Sequence, residues 1–194
     1  MRVGLGTGST VKYTVLELGR RIKEEGLDIV GVPTSVATQN LATEVGIPLV
    51  ELGSLDGLDI VIDGTDEFDP YFQLIKGGGA ALLREKIVAQ QSAAMVVVAD
   101  DRKQVDCLGA FGIPIEITPF ACDVTVSVLA SMLNCNVELR MDGDAHVSPT
   151  MGTALQMLAL DQPSTTLSQR KQTSSMLQAS YKSVYSTTCA TPSC

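Results

Sequence analysis

The 194-residue chain carries 14 Lys and Arg against 22 Asp and Glu, a formal net charge of −8, with 45% hydrophobic and 19% charged residues. That balance is globular, and it lacks the basic footprint that a nucleic-acid surface needs. No apolar run approaches the roughly 20 residues required to cross a bilayer, so neither nucleic acid nor membrane is an expected partner.

The length suits one large α/β domain, or a domain with a small appendage. In chain order, strands are predicted over Arg2–Leu5, Leu27–Val32, Leu58–Asp63, Met95–Ala99 and Ile113–Ile117. Helices are predicted over Thr10–Glu25, Ala37–Val45 and Ala81–Ser92, with Gly26 and Gly46 placed as C-terminal stops. Alternation of this kind predicts an α/β fold with an open, mainly parallel, Rossmann-like sheet and helices on both faces. Such sheets bind ligands beyond the carboxyl ends of their strands, so the chemistry is sought just after each apolar run.

The first run ends in Gly4-Leu5-Gly6-Thr7-Gly8-Ser9-Thr10. Glycines allow close backbone approach, and the N–H groups and hydroxyls opening a helix supply donors for an anion, with phosphate the natural guest. A site of this kind must be built locally against the acidic overall charge. A dinucleotide fold is the rival, but the third glycine of its fingerprint is absent, and the second strand runs into Gly31-Val32-Pro33-Thr34-Ser35 without the expected acid. A purely structural turn is the remaining alternative.

The third run delivers Asp63-Gly64-Thr65-Asp66-Glu67 to the same kind of edge. Each aspartate alone would suit a turn or a helix cap. Then comes Leu74-Ile75-Lys76-Gly77-Gly78-Gly79-Ala80-Ala81-Leu82-Leu83-Arg84-Glu85-Lys86. Three glycines after a lysine let backbone N–H groups and an ammonium face one ligand, whereas a linker would not be followed at once by an amphipathic helix. Glu85 shares a helical face with Ala81, Leu82 and Ala89. A carboxylate held among apolar groups has its charged form disfavoured, which suits a general base, and an exposed Glu85 paired with Arg84 or Lys86 is the alternative.

These blocks, with Ala99-Asp100-Asp101-Arg102-Lys103-Gln104-Val105-Asp106-Cys107-Leu108-Gly109, resemble the A-type ribose-5-phosphate isomerases over about Val3–Ala121. The resemblance implies an aldose–ketose isomerase of the non-oxidative pentose phosphate pathway, interconverting D-ribose 5-phosphate and D-ribulose 5-phosphate. It implies that Thr7, Gly8, Ser9 and Thr10 line the phosphate end, that Asp63, Gly64, Thr65 and Asp66 form a second substrate segment, and that Lys76, Gly77, Gly78 and Gly79 form a third. Glu85 matches the proton acceptor, Lys103 a substrate-contacting lysine, and Asp63 and Lys76 join Glu85 in catalysis. No metal or organic cofactor is implied, and a homo-oligomer is.

The domains expected are a catalytic α/β domain over residues 1–121, the start of a small second domain over 122–147, and an anomalous tail over 148–194. The motif resemblance ends soon after Met141-Asp142-Gly143-Asp144, and the Ser-, Thr- and Gln-rich tail shows no clear strand. One choice of codons for Ser148–Leu155, read from the third base, spells T-D-N-G-N-C-I, close to the start of the family's second domain. A shifted-frame or mis-spliced tail is therefore expected. The alternative functions are an impaired truncated or frame-shifted variant and a sugar-phosphate-binding relative without turnover.

His146 lies outside the matched blocks and is not expected to be catalytic or metal-binding. Cys107, Cys122, Cys135, Cys189 and Cys194 are odd in number and lack metal spacing, which favours reduced thiols and a cytoplasmic protein. Met1 runs almost at once into the glycine-rich turn, so a plastid address is expected only if a transit segment precedes it.

Overall fold

A computed structural model describes residues 1–110, 112–142, 145–147 and 154–159. In chain order its elements begin β1 (Arg2–Leu5), α1 (Val11–Glu25), β2 (Val30–Pro33), α2 (Val36–Val45) and β3 (Ile60–Asp63). There follow β4 (Glu67–Phe68), β5 (Leu74–Ile75), α3 (Leu82–Gln90), β6 (Met95–Val97) and β7 (Ile113–Ile117). The last are α4 (Cys122–Leu133), β8 (Asn136–Leu139), β9 (Met141–Asp142), β10 (Ala145–His146) and β11 (Ala154–Ala159). The chain divides into two compact units, one of Met1–Thr65 with Leu83–Asp100, the other of Asp66–Leu82 with the described residues from Asp101 onward.

The first unit is a four-stranded, all-parallel sheet in the order β2-β1-β3-β6. Its strands alternate between two apolar layers. Val3 and Leu5 of β1 pack with Val11, Val15, Ile29, Ala42 and Ile47 under α1 and α2. On the other face, Val61 of β3 packs with Val32, Leu58 and Val88 of α3. Gly4 explains how closely α3 approaches: a Cβ there would lie 2.7 Å from Val88 Cγ1 and 2.8 Å from Val61 Cγ2. Both predicted helix stops hold, with Gly26 at φ 68° and Gly46 at φ 84° in the left-handed conformation.

In this unit Arg2 pairs with Asp59 through an Nη2–Oδ1 bond of 2.8 Å and an N–H to Oδ2 bond of 2.7 Å. The Arg2 hydrogen bond holds the Asp59 carboxyl below its ordinary range. Both residues stand at the amino ends of their strands, the edge opposite the glycine-rich turn.

The second unit holds the β4–β5 hairpin, the β9–β10 pair and a sheet in the order β7-β11-β8. Ile115, Ile117, Leu129 of α4 and Val137 make its core. Two expectations are corrected here. Ile113–Ile117 is a strand as predicted, yet it pairs antiparallel with β11 and takes no part in the parallel sheet. The segment after Ala145, expected to hold no clear strand, supplies β11, which pairs antiparallel with β7 on one side and β8 on the other. Its sequence lacks a strand's alternation, and two flanking partners satisfy its backbone instead. The remainder of the tail, with its expected shift of frame, lies outside the described residues. Cys122 and Cys135 are free thiols.

Candidate active site

In the first unit β1 has β2 on one side and β3 on the other, so the chain steps from β1 to β2 and then crosses back past β1 to β3, reversing the direction of winding. The carboxyl ends of β1 and β3 flank that switch point, where an open α/β sheet presents a crevice. The turn after β1 and the aspartate ending β3 meet there. Asp63, fully buried, accepts the Thr7 N–H at 3.1 Å and the Gly64 N–H at 2.7 Å on the same Oδ1. The Gly6 N–H donates to the Ile62 carbonyl at 2.9 Å. Gly6 is required by this closeness, since a Cβ would lie 2.1 Å from Asp63 Oδ1 and 2.6 Å from Asp63 Cα.

Beyond that staple, Gly8 and Ser9 are exposed and Thr10 is half-buried, directly ahead of α1. The first N–H groups of an α-helix have no acceptor within it, and the helix dipole adds partial positive charge. Of the sequence-predicted residues, Thr7, Gly8, Ser9, Thr10, Asp63 and Gly64 are therefore brought together here, with Thr65 next in the chain.

Glu85 reaches the same unit on α3. It is 4% exposed and lies between Leu82 at i−3 and Val88 at i+3, both buried. The structure thus places it on the buried stripe, whereas Arg84 and Lys86 beside it are half-buried. Because α3 leads into parallel strand β6, it runs antiparallel to the strands. From Val88, which sits over Gly4, one helical turn back to Glu85 advances about 4.5 Å toward the carboxyl edge. One oxygen of each acid, Asp63 Oδ2 and Glu85 Oε2, is buried and accepts no hydrogen bond among the described residues. Each residue makes other interactions.

In the second unit the β4–β5 hairpin does the gathering. Glu67 pairs with Ile75, which sets Asp66 and Lys76 opposite each other at its open end, and the Asp66 N–H donates to the Ile75 carbonyl at 2.8 Å. Asp66 Oδ2 in turn accepts the Gly78 N–H at 2.7 Å. Asp66, Lys76, Gly77, Gly78 and Gly79 thus form one cluster. Lys103 ends a short helical turn whose following residues run beside β4, with the Val105 N–H donating to the Phe68 carbonyl at 2.9 Å.

Sequence reasoning missed the residues that support these loops. Arg140 Nη1 donates to the Gly78 carbonyl, and Glu67 Oε2 accepts the Gly109 N–H at 2.7 Å. Thr34, Ser35 and Thr38 form a buried hydroxyl cluster behind the first turn. The signal available in the sequence is the run of hydroxyls after the second strand, Thr34, Ser35 and Thr38. His146 is exposed on β10, paired with Met141. Among the described residues no helix is long and apolar enough to cross a membrane.

A glycine turn at a parallel-sheet switch point, stapled by the aspartate of the neighbouring strand, defines an α/β protein with a crevice at the carboxyl edge of its sheet. The family model described as ribose 5-phosphate isomerase A (phosphoriboisomerase A) matches residues 30–180, and the chain belongs to that family. The match runs beyond Asp144, where the motif resemblance was expected to stop. A ribose-5-phosphate isomerase A from Roseobacter denitrificans is 55% identical over 150 residues, covering 74% of this chain and 57% of the relative. The chain thus spans little more than half the length of such curated relatives.

Among solved structures, a D-ribose-5-phosphate isomerase in complex with phospho-erythronic acid has a TM-score of 0.80 at 37% identity, over 89% of this chain and 76% of the other. The ribose 5-phosphate isomerase from Plasmodium falciparum has a TM-score of 0.81 at 34% identity, over 90% and 77%.

Proposed function

We propose that the chain interconverts D-ribose 5-phosphate and D-ribulose 5-phosphate, with Glu85 moving the proton. The observation that carries this reading is the burial of Glu85 on the helix that follows the glycine triplet. In the open-chain aldose, the Glu85 carboxylate takes the C2 proton, the C–H electrons form the C1–C2 double bond, and negative charge develops on O1. This is the cis-enediolate. Glu85 then returns its proton to C1 while O2 loses its own to O1, leaving a C2 ketone and a C1 alcohol, so atoms and charge balance. One carboxylate serves both carbons because they are adjacent.

Lys76 and N–H groups of the glycine triplet stabilise the developing oxyanion, a contribution commonly worth several kcal/mol when the donors are preorganised. Asp63 assists ring opening, Asp66 orients sugar hydroxyls, and Ser9, Thr10 and Lys103 hold the phosphate. That remote anchor converts binding energy into alignment of the reacting carbons. The complex of a related isomerase with phospho-erythronic acid supports the reading. Its carboxylate offers the planar pair of oxygens that an enediolate has.

The test is turnover of ribose 5-phosphate by the purified chain and by Glu85→Gln. The amide keeps the shape but cannot accept the proton, so kcat should fall by about 10² to 10⁴ while ligand binding survives. Near-normal turnover in that variant would remove Glu85 from the mechanism. Lys103→Ala should chiefly raise KM and weaken inhibition by inorganic phosphate, and a lower kcat at unchanged KM contradicts that role.

A further inference from the structure

Behind the glycine-rich turn, Thr34 follows β2 and Ser35 and Thr38 open α2, and all three are buried. Thr34 Oγ1 donates to the Leu5 carbonyl at 3.1 Å and Thr38 Oγ1 to the Gly6 carbonyl at 2.9 Å. Ser35 Oγ donates to Thr38 Oγ1 at 3.1 Å. Thr7 Oγ1 lies 2.7 Å from Thr34 Oγ1 and 3.2 Å from Thr38 Oγ1.

A hydroxyl has one proton to give. With the Thr34 and Thr38 protons placed on those backbone carbonyls, the short bond between Thr7 and Thr34 takes its proton from Thr7. The Thr7 N–H already goes to Asp63 Oδ1. Both donors of Thr7 are therefore spent inside the protein, and a phosphate dianion, which only accepts, receives neither. Next to it, Gly8 and Ser9 are exposed.

We infer that Thr7 is a latch and not a phosphate ligand, and that Thr34 and Thr38 are positioning residues that hold the phosphate-binding turn through it. The inference rests on the sugar-phosphate reading above and changes the part that Thr7 plays in it. Phosphate donors are then the hydroxyls of Ser9 and Thr10 with the N–H groups of the turn. Their arrangement is fixed before the ligand arrives, so binding does not have to order the turn.

The test is calorimetric titration of the full chain with inorganic phosphate and with D-ribose 5-phosphate, together with turnover and thermal unfolding. Thr34→Val keeps the shape and removes the hydroxyl. Both Kd values should rise about tenfold, the scale of one lost hydrogen bond. KM should rise with them, and kcat should hold to within about twofold. Thr34→Ser should restore binding. Thr7→Val should cost about as much as Thr34→Val, and the double variant clearly less than the sum of the two, because the bond they share is lost in both.

A lower unfolding temperature in Thr34→Val with unchanged Kd values would make the cluster merely structural and overturn the inference. Full additivity of the Thr7 and Thr34 losses would also overturn it, by giving Thr7 its own ligand contact. Should Thr34→Val not fold, Thr38→Val is judged by the same two measurements. A wild-type chain that binds both ligands without turnover overturns the isomerase reading and leaves the latch standing. Turnover with wild-type binding in Thr34→Val overturns the latch alone.

Discussion

The chain carries two glycine-rich loops, Gly6–Gly8 in the first unit and Gly77–Gly79 in the second, and each is held by an aspartate that accepts backbone N–H groups. They are immobilised to different degrees. The first is tied on both sides: Asp63 takes two N–H groups from above the strands, and the Thr34–Thr38 cluster takes the Leu5 and Gly6 carbonyls from behind. Among the described residues, the second has the Gly78 N–H on Asp66, a half-buried acid, the Gly78 carbonyl on the half-buried Arg140, and the Gly77 carbonyl on the nearby Ala80 N–H. Glycine content says only that a backbone can come close to something. What fixes such a loop is the number of buried partners around it.

The widest gap between the loops should appear when a methyl group is added to each. In Gly6→Ala the new Cβ meets the backbone of β3, with Asp63 Cα at 2.6 Å, and a strand in the middle of a sheet cannot retreat. The expected loss is about 3 kcal/mol or more in urea unfolding. A loss below about 1 kcal/mol would show that the turn is less firmly held than these distances state.

Removing the acids should rank the loops in the same order. Asp63→Ala strands two N–H groups beside a buried vacancy, for an expected cost of about 2–3 kcal/mol, against about 1 kcal/mol for Asp66→Ala. Equal unfolding midpoints for the two variants would erase the distinction.

Gly78→Ala presses its Cβ to 2.5 Å from Asp66 Oδ1, the end of a side chain that can swing aside. About 1–2 kcal/mol is expected, and Gly78→Ala combined with Asp66→Ala should cost less than the sum, because the clash goes with the carboxylate. Strict additivity in that pair would place the strain elsewhere.

The smallest effect expected is that of Arg140→Met, which keeps much of the side-chain bulk and gives up one bond to a carbonyl. Stability should fall by about 1 kcal/mol, with amide hydrogen exchange faster at Gly78 and unchanged at Thr7. Faster exchange at both sites would mean that the two loops are not held independently.

Much of this architecture follows from the sequence alone, because the signals are local. β1 at Arg2–Leu5 and the helix stops at Gly26 and Gly46 fall where apolar runs and glycines put them. The motifs around Asp63, Lys76 and Glu85 could be read as blocks, since each pairs an element boundary with unusual chemistry within a few residues. What sequence could not supply is what residues far apart along the chain do to one another. Ile113–Ile117 is apolar enough for a parallel sheet, yet its partner is Ala154–Ala159, a segment with no strand pattern of its own that becomes one only between two others. Glu85 could have faced solvent or core, and packing of Val88 over Gly4 decided it. Thr7 appears in the sequence as one more donor in a phosphate turn. Its hydroxyl is hydrogen-bonded to that of a threonine 27 residues away, and only the fold brings the two oxygens to 2.7 Å.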